Sequence, residues 1–127
     1  MRVERFFFYG TLRRGGRFYR QLRLADRARF LGCDRIAGRL FDCGPWPAAL
    51  IGGDGAIHGE VFEISDAALI AEIDAVEGFI ADQPDASEYL RRTVITEAGR
   101  EAIAYHYNQP FDGLARVVSG RWVAPEA

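Results

Sequence analysis

The sequence predicts an α+β fold in which a mixed, curved, barrel-like sheet is joined by few short helices. Short β-prone runs separated by glycine- and proline-containing turns recur along the chain. Only residues 65–77 show a helical pattern of several turns, which leaves too few helices to connect a wholly parallel sheet. The length of 127 residues and the hydrophobic content of 49% suit one ordinary domain with a real core. We therefore expect residues 1–127 to form a single domain.

The strands are assigned from runs of β-branched, aromatic and other apolar residues. The aromatic-rich run at residues 3–9 is ended by a glycine and predicts a buried strand. Residues 89–97 and 101–107 flank a short turn at residues 98–100 and predict a hairpin. The remaining strands are expected at residues 28–31, 35–41, 48–51 and 57–64.

The connecting segments are assigned from glycine, proline and polar residues. Residues 10–16 form a loop in this interpretation, and residues 17–25 form one or two helical turns. Two prolines among three residues make 43–47 a turn. The glycine-rich segment 52–55 carries dipeptides typical of a hairpin turn. The polar segment 80–88 is expected to be an exposed excursion, and the tail after the last strand is mixed.

The helix predicted at residues 65–77 carries a carboxylate on its apolar side. Ser65 can cap its start, and Gly78 suits the position just after its end. Glu77 follows Ile73 by four residues, so it lies on the apolar stripe and points toward the interior. The alternative is a helix-end glutamate that reaches solvent. The stripe is completed by Leu69, Ile70 and Val76.

The position of Glu77 favours its protonated form. The negative end of the helix dipole opposes ionisation, and partial burial raises the pKa of a carboxyl in the same direction. A carboxyl with a raised pKa can act as a general base near neutral pH. By contrast, His58 and His106 have no partner carboxylate or nucleophilic serine at a recognisable spacing.

Charge and cysteine content argue against several classes of protein. Residues 1–40 carry eleven arginines against three acidic residues, whereas residues 41–127 carry five against fifteen. All sixteen basic residues are arginine, which indicates coding bias. We therefore interpret the basic first third as solvated surface and expect no nucleic-acid partner. The apolar runs are too short for a signal peptide or membrane span. Cys33 and Cys43 show no metal-binding spacing. We expect a cytoplasmic protein with no membrane association, no metal and no cofactor.

An ordered series of short motifs extends over residues 6–107. The motifs are Phe8–Gly15, Phe30–Gly32, Gly38–Phe41, Pro47–Ile51, Gly59–Phe62, Asp74–Gly78 and Tyr89–Val94, and Tyr105–Tyr107 completes the series. Each motif is short, but their order resembles the gamma-glutamylcyclotransferase-like family, particularly the branch related to gamma-glutamylamine cyclotransferases.

The resemblance implies a reaction and a set of site residues. In that family a Tyr-Gly-Thr-Leu loop binds the γ-glutamyl group, and the glutamate of an Asp-x-x-Glu-Gly stretch is the catalytic base, which here is Glu77. The α-amine of the substrate attacks its own γ-carbonyl, forms 5-oxoproline and releases an amine, so no enzyme nucleophile is required. The residues expected to bind the γ-glutamyl substrate are Tyr9, Gly10, Thr11, Leu12 and Tyr107.

Several alternatives stay open at this level. The turn at residues 43–47 has Trp46 where relatives more often have a smaller or tyrosine-like residue before the proline. This turn is expected to border the pocket. The sequence therefore does not define the leaving amine. A non-catalytic small-ligand-binding or regulatory domain that retains the pocket is the alternative function. The oligomeric state is undefined, and a monomer is compatible with the sequence. Four further residues are open to two interpretations, a ligand contact or a packing or surface role. They are Glu60, Arg91, Arg92 and Tyr105.

Overall fold

A computed structural model describes residues 3–124 of the chain. Long strands alternate with short helices, in agreement with the predicted α+β class. In chain order the elements are β1 (Glu4–Phe8), α1 (Arg17–Gln21), α2 (Leu24–Arg27), β2 (Arg29–Asp42), β3 (Pro47–Ile64), α3 (Ala67–Glu77), a 3₁₀ helix (Pro84–Ala86), β4 (Tyr89–Ile95), β5 (Glu101–Tyr107) and β6 (Ala115–Val117).

The strands form one six-stranded sheet in the order β4-β5-β1-β3-β2-β6. Strand β1 lies between β5, to which it is parallel, and β3, to which it is antiparallel. The other neighbouring pairs are antiparallel. The sheet curls into a half-barrel accompanied by few short helices, which confirms the predicted fold class.

Strands β2 and β3 form one hairpin that is longer than the sequence predicts. They span 14 and 18 residues, in place of four predicted short strands. The segment 52–55 is not the turn of a hairpin between two strands of the sheet. Ala37 pairs with Ala56 and Gly38 pairs with Ile51, so β2 pairs with β3 on both sides of the segment. These four glycine-rich residues therefore bulge out of β3. The actual turn lies at residues 43–46, within the segment predicted as a turn.

Strand β1 is buried on both faces and separates two apolar clusters. Phe6 and Phe8 pack in the cluster that includes α3 and the first helical turns. Phe7 and Tyr9 pack in the cluster formed largely by β2, β3 and β5. Because neighbouring side chains of a strand point to opposite faces, burial of both sets fixes the register of β1. The loop that follows Tyr9 is thereby held in place.

Helix α3 is capped by Asp66 rather than by the predicted Ser65. Oδ1 of Asp66 accepts a hydrogen bond from the backbone N–H of Leu69 at 3.1 Å. Leu69 is the third helical residue, which is the N–H that an N-cap side chain reaches. The helix buries Leu69 and Ile73 against the sheet, as its apolar stripe predicts.

The charge asymmetry of the sequence is partly compensated in space. Arginines of the first third reach acidic residues that mostly lie after residue 41. Single exposed pairs of this kind contribute little to stability, but together they neutralise much of the basic segment locally. The ion pairs are Arg5–Glu63, Arg14–Glu60, Arg23–Asp26, Arg27–Asp66, Arg27–Glu72, Arg29–Glu63 and Arg35–Glu97.

The assignment of the cap can be tested by two alanine substitutions. Asp66→Ala removes the acceptor for an N–H of the first turn, so we expect the melting temperature to fall by several degrees. Ser65→Ala is the matched control and should leave the melting temperature within about one degree of wild type. Thermal unfolding followed by circular dichroism measures both. A fall for Ser65→Ala and none for Asp66→Ala would contradict the assignment.

Candidate active site

A cavity opens between the end of β1, the end of α3 and the start of β4. Its volume is about 110 Å³, several times the space that one water molecule requires. The wall is mostly apolar and aromatic, with a few polar groups, as is typical of small-molecule sites. The lining residues are Phe7, Phe8, Tyr9, Gly10, Thr11, Leu12, Phe18, Trp46, Pro47, Val76, Glu77, Glu88, Tyr89 and Tyr105.

The loop after β1 is held against the cavity by close packing and turn hydrogen bonds. A β-carbon at Gly10 would lie 2.8 Å from Cγ of Pro47, so a side chain there would displace the turn between β2 and β3. The carbonyl of Gly10 accepts from the N–H of Arg13 at 3.1 Å, and the carbonyl of Thr11 accepts from the N–H of Phe18 at 3.1 Å. The loop is therefore a fixed part of the cavity wall.

Three consecutive backbone N–H groups of this loop have no acceptor within residues 3–124. They belong to Gly10, Thr11 and Leu12, all of which line the cavity. The carbonyls of Gly10 and Thr11 are already engaged, so the loop has donors left over. Successive free N–H groups form a binding site for an anion such as a carboxylate.

Glu77 is the last residue of α3, and the end of the helix fixes its direction. Gly78 adopts the left-handed conformation with φ 65°, and its N–H donates to the carbonyl of Ala75 at 3.2 Å. The N–H of Phe79 donates to the carbonyl of Asp74 at 2.9 Å. These two bonds form a Schellman motif, for which glycine is the usual residue. The chain then turns away from the cavity and leaves the Glu77 side chain facing it.

The surroundings of Glu77 favour a protonated carboxyl. Burial, followed by the charges of Glu88 and Asp74, raises its pKa from the ordinary 4.5 to about 8. Within residues 3–124 no side chain or backbone group forms a hydrogen bond to its carboxyl. The sequence predicts the direction of this shift, and the structure adds two neighbouring carboxylates as causes.

Glu88 is a second carboxylate in the cavity, although the sequence predicts it within an exposed excursion. Its N–H donates to the carbonyl of Gly78 at 2.9 Å, and its carbonyl accepts from the N–H of Asn108 at 2.9 Å. Residues 81–86 are indeed exposed, but Glu88 returns to the helix end through these bonds. No local signal marks this return, because both partners are distant in the chain.

The tyrosines of the cavity use their hydroxyl groups for structural hydrogen bonds. The hydroxyl of Tyr9 donates to the carbonyl of Tyr105 at 2.6 Å, and that of Tyr89 donates to the carbonyl of Pro47 at 2.6 Å. Burial raises the pKa of each of these phenols. Their protons are therefore held at neutral pH, and Glu77, whose pKa is raised to about 8, is the candidate for proton exchange.

A half-buried network supports the wall behind Glu77. Arg91 donates to both carboxylate oxygens of Asp74, at 3.0 and 2.5 Å. The hydroxyl of Tyr105 donates to Oδ1 of Asp74 at 2.6 Å, while its ring lines the cavity. Arg91 also lies over the ring of Phe79 at 5.1 Å. Arg91 is thus engaged with the helix, outside the cavity lining. Arg92 is exposed and also lies outside the lining.

The structure brings most of the predicted site residues together. The cavity is lined by Tyr9, by the loop from Gly10 to Leu12 and by Glu77. The turn that contains Trp46 and Pro47 borders it, as expected from the sequence. Tyr107 lies one layer behind, with its ring 5.2 Å from that of Tyr89. Its role as a substrate contact stays a prediction.

Glu60 lies on β3, outside the cavity lining. Its carboxylate accepts from the backbone N–H of Arg14 at 2.7 Å and from Nε of Arg14 at 3.2 Å. It therefore anchors the far side of the loop. The described part of the chain contains no group of three or more metal-ligating side chains. No helix within residues 3–124 is long and apolar enough to cross a membrane.

Comparisons with known proteins agree with this geometry. A family model described as gamma-glutamyl cyclotransferase, AIG2-like, matches residues 6–124. The gamma-glutamylcyclotransferase family protein YtfP of Escherichia coli K12 is 35% identical over 122 residues, which cover 94% of this chain and 96% of YtfP. The solution structure of Escherichia coli ytfP has a TM-score of 0.68 at 34% identity and covers 94% of this chain and 96% of that one. A mouse AIG2-like protein shares the fold with a TM-score of 0.74 at 20% identity, covering 97% of this chain and 90% of that one.

The family model, the relatives and the shared curled sheet identify a gamma-glutamyl cyclotransferase-like enzyme. The chain belongs to the gamma-glutamyl cyclotransferase, AIG2-like family, which confirms the resemblance seen in its motifs.

The raised pKa of Glu77 predicts a pH-dependent difference in stability between wild type and Glu77→Gln. The pKa is about 8 in the folded state against 4.5 unfolded, so the folded state binds this proton more tightly. The contribution of the Glu77 carboxyl to the free energy of unfolding is therefore complete below about pH 4.5. It is lost as the pH rises toward 8.

Glu77→Gln is always neutral, so its free energy of unfolding should exceed that of wild type by up to a few kcal/mol at pH 8.5 and by much less at pH 5. Urea unfolding at both pH values measures this difference, in which all other titrating groups cancel. A difference that is equal at both pH values would contradict the shift.

Proposed function

We propose that the protein converts a γ-glutamyl amine or amide to 5-oxoproline and a free amine, with Glu77 as general acid and base. The observation that carries the proposal is that Glu77 and the free N–H groups of Gly10, Thr11 and Leu12 line one cavity. One wall can then bind an anion while the other holds a group that transfers protons. Membership in the cyclotransferase family supports the same reaction.

In this proposal the loop binds the α-carboxylate of the γ-glutamyl group. Carboxylate binding to backbone N–H groups gives short, charge-assisted hydrogen bonds. The rigid anchoring of the loop by Pro47 and by Glu60 limits the orientations of the bound substrate. Holding the γ-glutamyl chain folded brings its α-amine near its own γ-carbonyl, and such proximity lowers the barrier by several kcal/mol.

Glu77 then moves protons between the two nitrogens of the substrate. Its carboxylate accepts a proton from the α-ammonium, and the neutral amine attacks the γ-carbonyl carbon. As the γ-carbon to nitrogen bond breaks, Glu77 returns that proton to the leaving nitrogen. The new ring nitrogen loses its extra proton to the same carboxylate. Glu77 then passes this proton to the released amine, which becomes ammonium, and the carboxylate is regenerated. The products are 5-oxoproline and the amine, and atoms and charge balance.

A pKa near 8 matches a group that must both accept and return a proton close to neutral pH. The proposal requires no metal and no organic cofactor, because the nucleophile is part of the substrate. Tyr107 supports the cavity from behind Tyr89. The two free thiols, Cys33 and Cys43, suit a reducing compartment such as the cytoplasm.

Trp46 stands at the mouth of the cavity, where the leaving group exits in this proposal. The residue is 40% exposed although it contributes to the lining. An exposed aromatic ring at a pocket mouth suits a leaving amine with an apolar or extended body. The turn that carries it thus determines which amine is accepted.

The proposal predicts that Glu77→Gln loses activity by about 10²- to 10⁴-fold, since it can no longer accept a proton. Purified protein is offered γ-glutamyl amines, γ-glutamyl dipeptides and ε-linked γ-glutamyl-lysine while 5-oxoproline is measured. Glu72→Gln is the matched control, because it makes the same change on the exposed side of α3 and should retain activity.

Two results would contradict the proposal. One is a Glu77→Gln variant as active as wild type, and the other is no turnover of any compound by wild type. An increase in melting temperature with these compounds but without turnover would instead support the non-catalytic ligand-binding alternative.

A further inference from the structure

A polar groove lies away from the cavity, beside the turn between β4 and β5. The three arginines of its lining come from distant parts of the chain and are Arg13, Arg35 and Arg121. His58 and Cys33 contribute from β3 and β2. The complete lining is Arg13, Cys33, Asp34, Arg35, His58, Gly59, Glu60, Glu97, Ala98 and Arg121.

Each of the three carboxylates of the groove already has an arginine partner. Asp34 is 2.9 Å from Nη1 of Arg100. Glu60 accepts from both the backbone and the side chain of Arg14, as described above. The groove therefore contains no unpaired negative charge from these residues.

The remaining carboxylate, that of Glu97, pairs with Arg35. This leaves the guanidinium groups of Arg13 and Arg121 without a carboxylate partner among residues 3–124. Arg13 donates only to neutral carbonyls, those of Trp122 at 2.5 Å and Gly10 at 3.1 Å.

The arginine charges of the groove affect the pKa values of His58 and Arg13. After burial, the charges of Arg121 and Arg35 are the next causes that lower the pKa of His58, and Glu97 opposes them. Burial is also the main cause that lowers the pKa of Arg13, and the charge of Arg121 adds to it against the attraction of Glu60. Arg121 is thus close enough to influence both Arg13 and His58, and neither Arg13 nor Arg121 has a paired carboxylate among residues 3–124.

The segment that carries Arg121 is held rigidly across β3. The carbonyl of Gly120 accepts from the N–H of His58 at 2.8 Å, and Gly120 adopts φ 70°. A β-carbon at Gly120 would lie 2.0 Å from the carbonyl oxygen of Ala56, so only glycine permits this crossing. Arg121 is thereby placed beside His58 and Arg13 by the backbone.

The geometry points to a second binding site in this groove, for a compact oxyanion of the carboxylate or phosphate class held by Arg121 and Arg13. Guanidinium groups match both anions through paired, charge-assisted hydrogen bonds. The site is joined to the active-site loop, because Arg13 also binds the carbonyl of Gly10. It is independent of the proposed cyclisation.

The test is a titration of the full chain with inorganic phosphate and with succinate at constant ionic strength. Amide chemical shifts of Gly59 and Ala98 should move and saturate with at least one anion, while those of Trp46 and Tyr89 in the cavity stay in place. The anion that binds more tightly identifies the class of ligand. Arg121→Gln should weaken binding about tenfold or more, since it removes a charge-assisted contact.

Arg92→Gln is the matched control, since Arg92 lies on β4 and lines neither site; it should bind as wild type does. Three results would overturn the proposal: no saturable shift with either anion, shifts centred on the cavity residues, or unchanged affinity in Arg121→Gln.

Discussion

The proposed site depends on the partial burial of one carboxyl group, that of Glu77, at the end of a helix. A buried carboxyl without hydrogen bonds destabilises its charged form, and here two neighbouring carboxylates add to the effect. This arrangement persists because α3 is anchored by buried Leu69 and Ile73 and is ended sharply at Gly78. Packing elsewhere thus supports a group that is unfavourable when ionised, which is common at functional sites.

The other parts of the site are arranged around that carboxyl by contacts distant in sequence. β1 is fixed by burial on both faces, and the loop that follows it lines the same cavity as the helix end. Asp74, Arg91 and Tyr105 form a satisfied network that stiffens the helix next to Glu77. The hydroxyls of Tyr9 and Tyr89 donate to carbonyls and thereby hold the two rings in the cavity wall.

Local patterns predict what depends on periodicity and on backbone conformation. The position of Glu77 on the helix, the role of Gly78 and the buried strand β1 follow from spacing and from residue type. Dipeptides cannot distinguish a bulge from a hairpin turn, which is why the hairpin turn predicted at residues 52–55 is wrong. Ser65 and Asp66 are both good caps, and tertiary packing decides where the first turn begins. Glu88 carries no local signal, because only its bonds to Gly78 and Asn108 bring it back to the cavity.

The most direct test of this account is the pKa of Glu77 in the free protein, measured from its side-chain carboxyl ¹³C shift as pH is varied. The account predicts a value of about 8. Glu88→Gln should lower it, because one neighbouring charge is removed, yet leave it above 4.5, because burial is the largest cause. A wild-type value near 4.5 would show that the carboxyl is hydrated and would contradict the account.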